Sequence, residues 1–227
     1  IDYAALANNH ILDWGYEGLE ETIKEIRKVN IGYSGAGEDF GHAVEPEIFE
    51  VEDTGRVIIY SWGTESSGIP PSWAAGADRP GVNLLPEVSA KVLSWIKGHI
   101  AGIRQDKDIV IVSLHWENEW GYDIPPAQVE FAHRLIDEAG VDIIHGHSSH
   151  HPKPLEVYKG KLILYGAGDF INDTEGVPGH EIFRSDLALM YLADLDPGTG
   201  KLFRLQMKPL VMKKFQLHDA PSQDAEW

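Results

Sequence analysis

The chain has 227 residues, of which 43% are hydrophobic and 24% are charged, and it contains no cysteine. This composition is typical of folded globular proteins and excludes disordered chains, collagen, disulfide scaffolds, thiol catalysis and cysteine-based metal sites. Because 19 basic residues stand against 36 acidic ones, the formal net charge is −17, which disfavours a nucleic-acid partner and favours solubility or the attraction of a cation.

The first part of the chain predicts short strands that alternate with helices. A strand over residues 3–6 leads into the polar loop Ala7-Asn8-Asn9-His10, and apolar residues at helical spacing then predict a helix over residues 19–29. Further strands are predicted over residues 31–34, 47–51 and 56–61. The chain opens with Ile1 rather than Met and has no leader-like segment, which suggests a fragment. No apolar run approaches the roughly 18 residues of a membrane span.

A stretch rich in glycine, proline and serine covers residues 63–86. Loops of this length without structure are uncommon in compact domains and often serve as lids or binding loops. Arg79 lies within this stretch, so it is a candidate to contact a substrate carboxylate or phosphate, with an exposed, solvated role as the alternative.

The remaining sequence predicts two helices, two buried strands and two hairpins. The helices are expected over residues 88–103 and 126–140, the strands over 109–114 and 141–144, and the hairpins over 155–165 and 187–207. This order predicts an α/β domain whose later strands form an antiparallel sheet packed on the first. We expect one domain over residues 1–215 and a poorly ordered polar tail over residues 216–227.

Histidines are concentrated after one of the buried strands. Four of the eleven lie between His145 and His151, and imidazoles in loops at strand ends can converge on one metal ion. A solvated histidine-rich turn is the alternative. The strand over residues 109–114 ends in the same way, at His115, which by itself would more often be a buried core histidine. Two strand ends of this kind favour metal ligation.

Two further elements carry weaker signals. In the first loop, the amide oxygen of Asn9 is a possible metal ligand and His10 a possible general acid or base, although Asn-Asn-His is also ordinary turn chemistry. After the strand that ends near Tyr165, the segment Gly166-Ala167-Gly168-Asp169-Phe170 places Asp169 as a metal ligand, as an orienter of a histidine, or as a turn former.

These four segments, in this order, resemble the CapA family of poly-γ-glutamate capsule proteins within the calcineurin-like metallophosphoesterase superfamily. The resemblance runs over residues 1–176. It implies a four-layer αββα sandwich with two metal ions at the carboxyl ends of the strands. It further implies that Asn9, His115, His147 and His150 are metal ligands and that His10 is the acid/base histidine. Two residues separate the last pair of histidines, where the superfamily commonly has one, so His151 is the alternative to His150.

The acidic motifs that such proteins carry before the Asn-His segment are absent from this chain. Glu17, Glu20 and Glu21 fall on a predicted helix and do not replace them. Neutral ligands alone hold two dications poorly, because nothing offsets the repulsion between the ions. We therefore expect a fold that is incomplete at the N-terminus, an active form with about 100 further residues there, and association through an unpaired sheet edge.

The resemblance implies a metal-dependent hydrolase that acts on a phosphoester or an amide, with Zn²⁺, Mn²⁺ or iron as the two ions. A small molecule, a polymer or a peptide is the expected substrate, with Trp116 and Lys153 as further candidate contacts. Two alternatives remain: a metal-dependent peptide epimerase of the lasso-peptide type, in which His10 exchanges an α-proton, and a non-enzymatic accessory protein of capsule polymer assembly.

Overall fold

We describe the protein from a computed structural model that covers residues 1–227. The helices are α1 (Gly15–Lys28), α2 (Phe40–Val44), α3 (Ala90–Ile103), α4 (Pro126–Ala139) and α5 (Ser222–Glu226). The strands are β1 (Tyr3–Ala5), β2 (Gly32–Ser34), β3 (Ala36–Gly37), β4 (Glu47–Val51), β5 (Gly55–Thr64), β6 (Gly81–Val82), β7 (Leu84–Leu85), β8 (Ile109–His115), β9 (Ile143–His147), β10 (Leu155–Tyr158), β11 (Lys161–Leu164), β12 (Leu187–Leu195), β13 (Leu202–Lys213) and β14 (Gln216–Asp219). The α/β class predicted from the sequence is confirmed.

A mixed sheet of seven strands forms the centre of the molecule, in the order β10-β11-β9-β8-β5-β4, with β7 pairing to β5. The middle strands β11, β9, β8 and β5 are parallel, and β10 and β4 join the two edges as antiparallel hairpin partners. Because parallel strands end at the same edge of a sheet, the segments that follow β8 and β9 are neighbours.

The two faces of this sheet carry different side chains, since alternate residues of a strand point to opposite sides. On one face, Ile58, Val110 and Ile144 pack with α3 and α4 in a cluster of 21 buried hydrophobic residues. The opposite face of the same strands carries polar side chains near the strand ends. These are Ser113 and His115 on β8 and His145 and His147 on β9.

Helix α1 belongs to a second, smaller core. Its buried residues Leu19 and Ile23 pack in a cluster with Leu6, Ala36 and Val82, next to the parallel pair β1 and β2. The amide of Ala7 donates to Ser61 Oγ on β5 at 3.4 Å. This packing fixes the loop after β1 beside the central sheet.

The stretch over residues 63–86, expected to be a long loop, contains short regular elements. It includes the end of β5, the two-residue strands β6 and β7, and two turns of 3₁₀ helix, Glu65–Ser67 and Pro71–Trp73. Strand β7 pairs with β5 in parallel, so backbone hydrogen bonds hold this stretch against the central sheet.

A separate antiparallel sheet, β12-β13-β14, follows the central one in the chain, and its β12–β13 hairpin was predicted from the sequence. The expected poorly ordered tail is more structured than its polar sequence indicated. Strand β14 pairs with β13, and Arg184 bonds to Asp224 on α5 at 3.1 Å. None of the five helices is both long and apolar enough to cross a membrane.

Candidate functional site

Two histidines from neighbouring strands lie side by side at the carboxyl end of the central sheet. The parallel register of β8 and β9 pairs His115 with His147, so both side chains leave the same face of the sheet. Their Nδ1 atoms are 3.0 Å apart. Strand pairing thus brings together two residues that are 32 positions apart in the sequence.

The loop after β1 contributes a third polar group to this pair. The Oδ1 atom of Asn9 lies 3.1 Å from Nε2 of His115, a contact between residues 106 positions apart. Gly68 lies next to Asn9, and its φ of +84° is in the left-handed region that favours glycine. Asn9, His115 and His147 form what we call the neutral triad.

The hydrogen bonds of the neutral triad define which ring nitrogens carry protons. Asn9 Oδ1 can only accept, so His115 Nε2 donates to it, and the Nδ1 atom of a neutral His115 is then an acceptor. His147 donates to that acceptor from its own Nδ1, which leaves its Nε2 without a proton. This Nε2 atom is buried and has no hydrogen-bond partner. A buried imidazole nitrogen with a free lone pair is able to bind a metal ion.

Burial keeps these histidines neutral. It lowers the pKa of His115 to about 4, helped by the nearby charges of His10 and His150, and it holds the pKa of His147 well below its usual value. Burial also lowers the pKa of the adjacent His145. Metals bind the neutral imidazole, so at neutral pH no charged ring has to lose a proton before His147 can bind an ion through Nε2.

His10 stands at the exposed rim of the site. Its side chain is 72% exposed, and its Nδ1 atom lies 2.8 Å from Oδ2 of Asp13. Its backbone amide donates to Asn8 Oδ1 at 2.9 Å. The carboxylate of Asp13 therefore orients the ring with Nε2 directed away from this contact, a role for Asp13 that the sequence alone did not indicate.

His150 differs from the neutral triad because it has a carboxylate partner. Its Nδ1 atom lies 3.1 Å from Oδ2 of Asp169, and this hydrogen bond raises the pKa of His150. Asp169 also accepts from Asn172 Nδ2 at 2.9 Å. Of the three roles considered for Asp169, the structure places it in the position of a histidine orienter.

Both ring nitrogens of His151 are already engaged. Nε2 accepts the amide hydrogen of Gly121 at 3.2 Å, and Nδ1 lies 3.1 Å from the carbonyl oxygen of Pro152. The residue is fully buried. His151 therefore holds the loop around Gly121, whereas the side-chain hydrogen bonds of His150 involve only its Nδ1 atom and Asp169.

The three residues expected to contact a substrate occupy different places. Trp116 is buried in the core and donates from Nε1 to the carbonyl oxygen of Tyr165 at 3.1 Å. Lys153 is buried and donates from Nζ to the carbonyl oxygen of Asn118 at 2.8 Å. Arg79 donates to Ala74 within its own loop. Trp116 thus belongs to the hydrophobic core, and Arg79 stabilises the loop in which it lies.

Sequence analysis treated His145 only as part of the histidine run. The structure places its ring 5.5 Å from that of His147 and its Nδ1 atom 3.1 Å from Ser113 Oγ. The signal for this contact was the alternation of polar residues along β8 and β9, which becomes visible only when the register of the two strands is known.

The donor set fits part of a metal centre. In the hydrogen-bonded arrangement described above, His147 Nε2 is the one free imidazole lone pair of the neutral triad. His115 and Asn9 would join it as ligands by exchanging their hydrogen bond for the ion, and two imidazoles with one amide oxygen suit a borderline divalent ion such as Zn²⁺ or Mn²⁺. No group of three or more His, Asp or Glu side chains is arranged to hold a metal. The triad lacks the carboxylate that would offset the charge of a second ion, so these residues fit one ion better than a pair.

Taken together, the molecule is a mixed α/β protein with a histidine centre at the carboxyl ends of parallel strands. Residues 1–174 match the family model described as bacterial capsule synthesis protein PGA_cap. The chain belongs to this family, as its motifs predicted.

Curated relatives agree with this assignment. A protein of Mycobacterium tuberculosis named probable polyglutamine synthesis accessory protein is 49% identical over 224 residues, which cover 98% of this chain and 59% of the relative. The PGA biosynthesis protein CapA of Bacillus subtilis is 36% identical over 168 residues, which cover 74% of this chain and 41% of the relative. The chain thus spans about three-fifths of the length of the mycobacterial relative and about two-fifths of the length of the Bacillus relative.

Among solved structures, a phosphatase from Mycoplasma pneumoniae aligns over 87% of this chain and 62% of its own, with a TM-score of 0.45 and 15% identity. At this level of similarity the alignment adds nothing to the family assignment.

Proposed function

We propose that the chain is a metal-dependent hydrolase of the metallophosphoesterase type, acting on a phosphoester or an amide. One observation carries the proposal: the unpartnered Nε2 of His147 lies in a buried site beside His115 and Asn9. Leaving a polar atom buried without a partner is costly, and an ion bound there would remove that cost.

We assign the neutral triad to one divalent ion, Zn²⁺, Mn²⁺ or iron, and His150 to the second ion of the expected pair. Asp169 would keep the His150 ring oriented through their 3.1 Å contact. Bound metal would supply a water of lowered pKa and polarise the scissile group. The carboxylates needed for full affinity are not part of the neutral triad.

His10 is the proposed proton donor to the leaving group. Its exposed ring is oriented by Asp13 at 2.8 Å, so that Nε2 is free to meet a substrate at the mouth of the site. Two observations support this role: His10 follows Asn9 directly in the chain, and its charge helps to lower the pKa of His115.

The names of the relatives direct the choice of substrate. One is named for polyglutamine synthesis and the other for PGA biosynthesis. We therefore propose an amide-linked glutamate polymer, or a peptide made from it, as the first substrate to test. Simple phosphoesters are the second.

The first experiment is the metal content of the purified chain, measured by mass spectrometry after exposure to Zn²⁺ or Mn²⁺ and removal of free ions. We expect about one or more ions per chain, lost in His147→Ala and in His115→Ala. The matched control is His42→Ala, which removes a half-exposed histidine on α2. The absence of metal in every form, or its retention in both site variants, would contradict the proposal.

A second measurement separates the enzyme classes. Release of phosphate, or shortening of a glutamate polymer, that requires both metal and His10 would support hydrolysis. Entry of solvent deuterium into an uncleaved peptide would instead identify an epimerase, since the same oriented histidine can exchange an α-proton.

A non-enzymatic role is the second candidate, because the mycobacterial relative is named an accessory protein. Under this proposal, the fold would bind the polymer without cleaving it. Polymer binding that needs no metal and is unchanged by His115→Ala would favour this role over hydrolysis.

A further inference from the structure

A large cleft lies away from the neutral triad, between the β12–β13 hairpin, helix α5 and the turn formed by residues 152–154. Its volume is about 660 Å³, within the usual range of small-molecule sites. Most of its lining is hydrophobic, including Leu187 and Leu189 from β12 and Met207 and Pro209 from β13. Such walls suit an aliphatic chain.

One buried positive charge lines this cleft. Lys153 is only 8% exposed, and its ammonium group donates to the carbonyl oxygen of Asn118 at 2.8 Å. No carboxylate lies within ion-pair distance of it, and the charge of Glu117 acts on it only from a longer distance. A buried ammonium with a single neutral partner is costly unless an anion joins it.

The carboxylate that also lines the cleft does not compensate this charge. Asp224 is bound by the guanidinium of Arg184 at 3.1 Å. Among the charged side chains that line the cleft, Lys153 is therefore the one without an ion-pair partner, although the chain as a whole carries a formal net charge of −17.

We propose that this cleft binds an amphiphilic monoanion: a single alkyl chain along the apolar walls, with its terminal carboxylate paired to Lys153. A single charge is specified because Lys153 is the one lysine or arginine that lines the cleft, and one cation can neutralise one carboxylate. The cleft is thus distinct in chemistry from a site for the glutamate polymer.

The cleft adjoins the histidine segment through Tyr122. This residue lines the cleft, and its ring meets that of His151 edge-on at 4.7 Å. A ligand in the cleft would therefore lie against the loop that carries Gly121 and Tyr122. Binding there requires no metal, so this inference stands or falls independently of the proposed hydrolase activity.

The test is calorimetric titration of the whole chain with decanoate below its micelle concentration, compared with decanol and decyltrimethylammonium. We expect saturable binding of decanoate and weaker binding of the other two probes. Lys153→Met keeps the apolar stem and removes the charge, so it should weaken decanoate binding by at least about tenfold and leave decanol binding unchanged.

Two further variants test the same cleft independently of Lys153. Met207→Glu alters the cleft wall at a half-exposed position and should abolish binding even if Lys153→Met fails to fold. The control Lys208→Met removes an exposed lysine of the same strand, paired with Asp219 at 2.6 Å, and should have no effect.

Three results would overturn the proposal. Decanol could bind as tightly as decanoate, Lys153→Met could bind decanoate as well as the unmodified chain, or light scattering could reveal a dimer that Met207→Glu dissociates. The last result would mean that a second copy of the chain covers the cleft.

Discussion

The histidines of this protein occupy two contrasting environments at the same end of one sheet. His115 and His147 are enclosed between strands and have no carboxylate partner, so burial lowers the pKa of each. His150, on the segment after β9, is half-buried and held by Asp169, which raises its pKa. The first environment makes neutral ligands and the second stabilises a protonated ring. A residue type by itself therefore does not define a role; the neighbours do.

The largest expected effect is on the stability of the fold, and it concerns the packing of β9 against the core on the side opposite His115 and His147. A methyl group at Gly146 would meet the carbonyl oxygens of Tyr165 and Leu164 at 2.5 and 2.6 Å, and Trp116 Nε1 at 2.6 Å. Because two of these atoms are backbone, we expect Gly146→Ala to destabilise the fold by about 3 kcal/mol or more.

Chemical denaturation of Gly146→Ala beside Gly98→Ala measures this effect. Gly98 lies in α3 with no atom within 4 Å of an added methyl group, so its replacement should stabilise the helix by about 0.5–1 kcal/mol. Equal stability of the two variants would mean that β9 and the core behind it can separate, and that the buried environment is less rigid than its contacts indicate.

The second prediction concerns the stability of the fold at acidic pH. The ordinary pKa of His115 is 6.5, and the folded value is about 4. Between these pH values the unfolded chain binds the proton and the folded chain does not, so stability falls as the pH falls through this window. The full contribution of His115 is about 3 kcal/mol.

Denaturation curves at pH 4 to 7 in the presence of a chelator test this slope. His115→Gln should reduce it, and the slope that remains comes from His147 and His145, whose pKa values burial also lowers. His42→Gln, which removes a half-exposed histidine of α2, should leave it unchanged. A slope in His115→Gln as steep as in the unmodified chain would mean that His115 takes up no proton on unfolding in this pH range.

The smallest expected effect concerns the carboxylate-held histidine. Asp169→Asn removes the charge that raises the pKa of His150, so that pKa should fall in an NMR titration of the metal-free chain. Stability linked to His150 has the opposite sign to that of His115, since it is present at low pH and is lost as the pH rises through the raised pKa.

The control for this titration is Asp39→Asn, which alters a histidine-carboxylate pair of the same kind at the N-terminus of α2. It should leave the titration of His150 unchanged. An unaltered titration of His150 in Asp169→Asn would show that the contact is absent in solution.

The sequence determined much of this protein by itself. Apolar periodicity located the helices and the buried strands, and the hairpins followed from turn residues between β-rich runs, because these signals are local. The strand-end motifs around Asn9, His115 and His147 also identified the family.

Tertiary structure decided which of these residues meet. Only the register of β8 and β9 places His115 against His147 and His145 near Ser113, since that pairing joins segments about thirty residues apart. Only long-range packing occupies both nitrogens of His151, buries Trp116 and pairs β14 with β13. Such contacts depend on distant backbone atoms, which no local sequence pattern specifies.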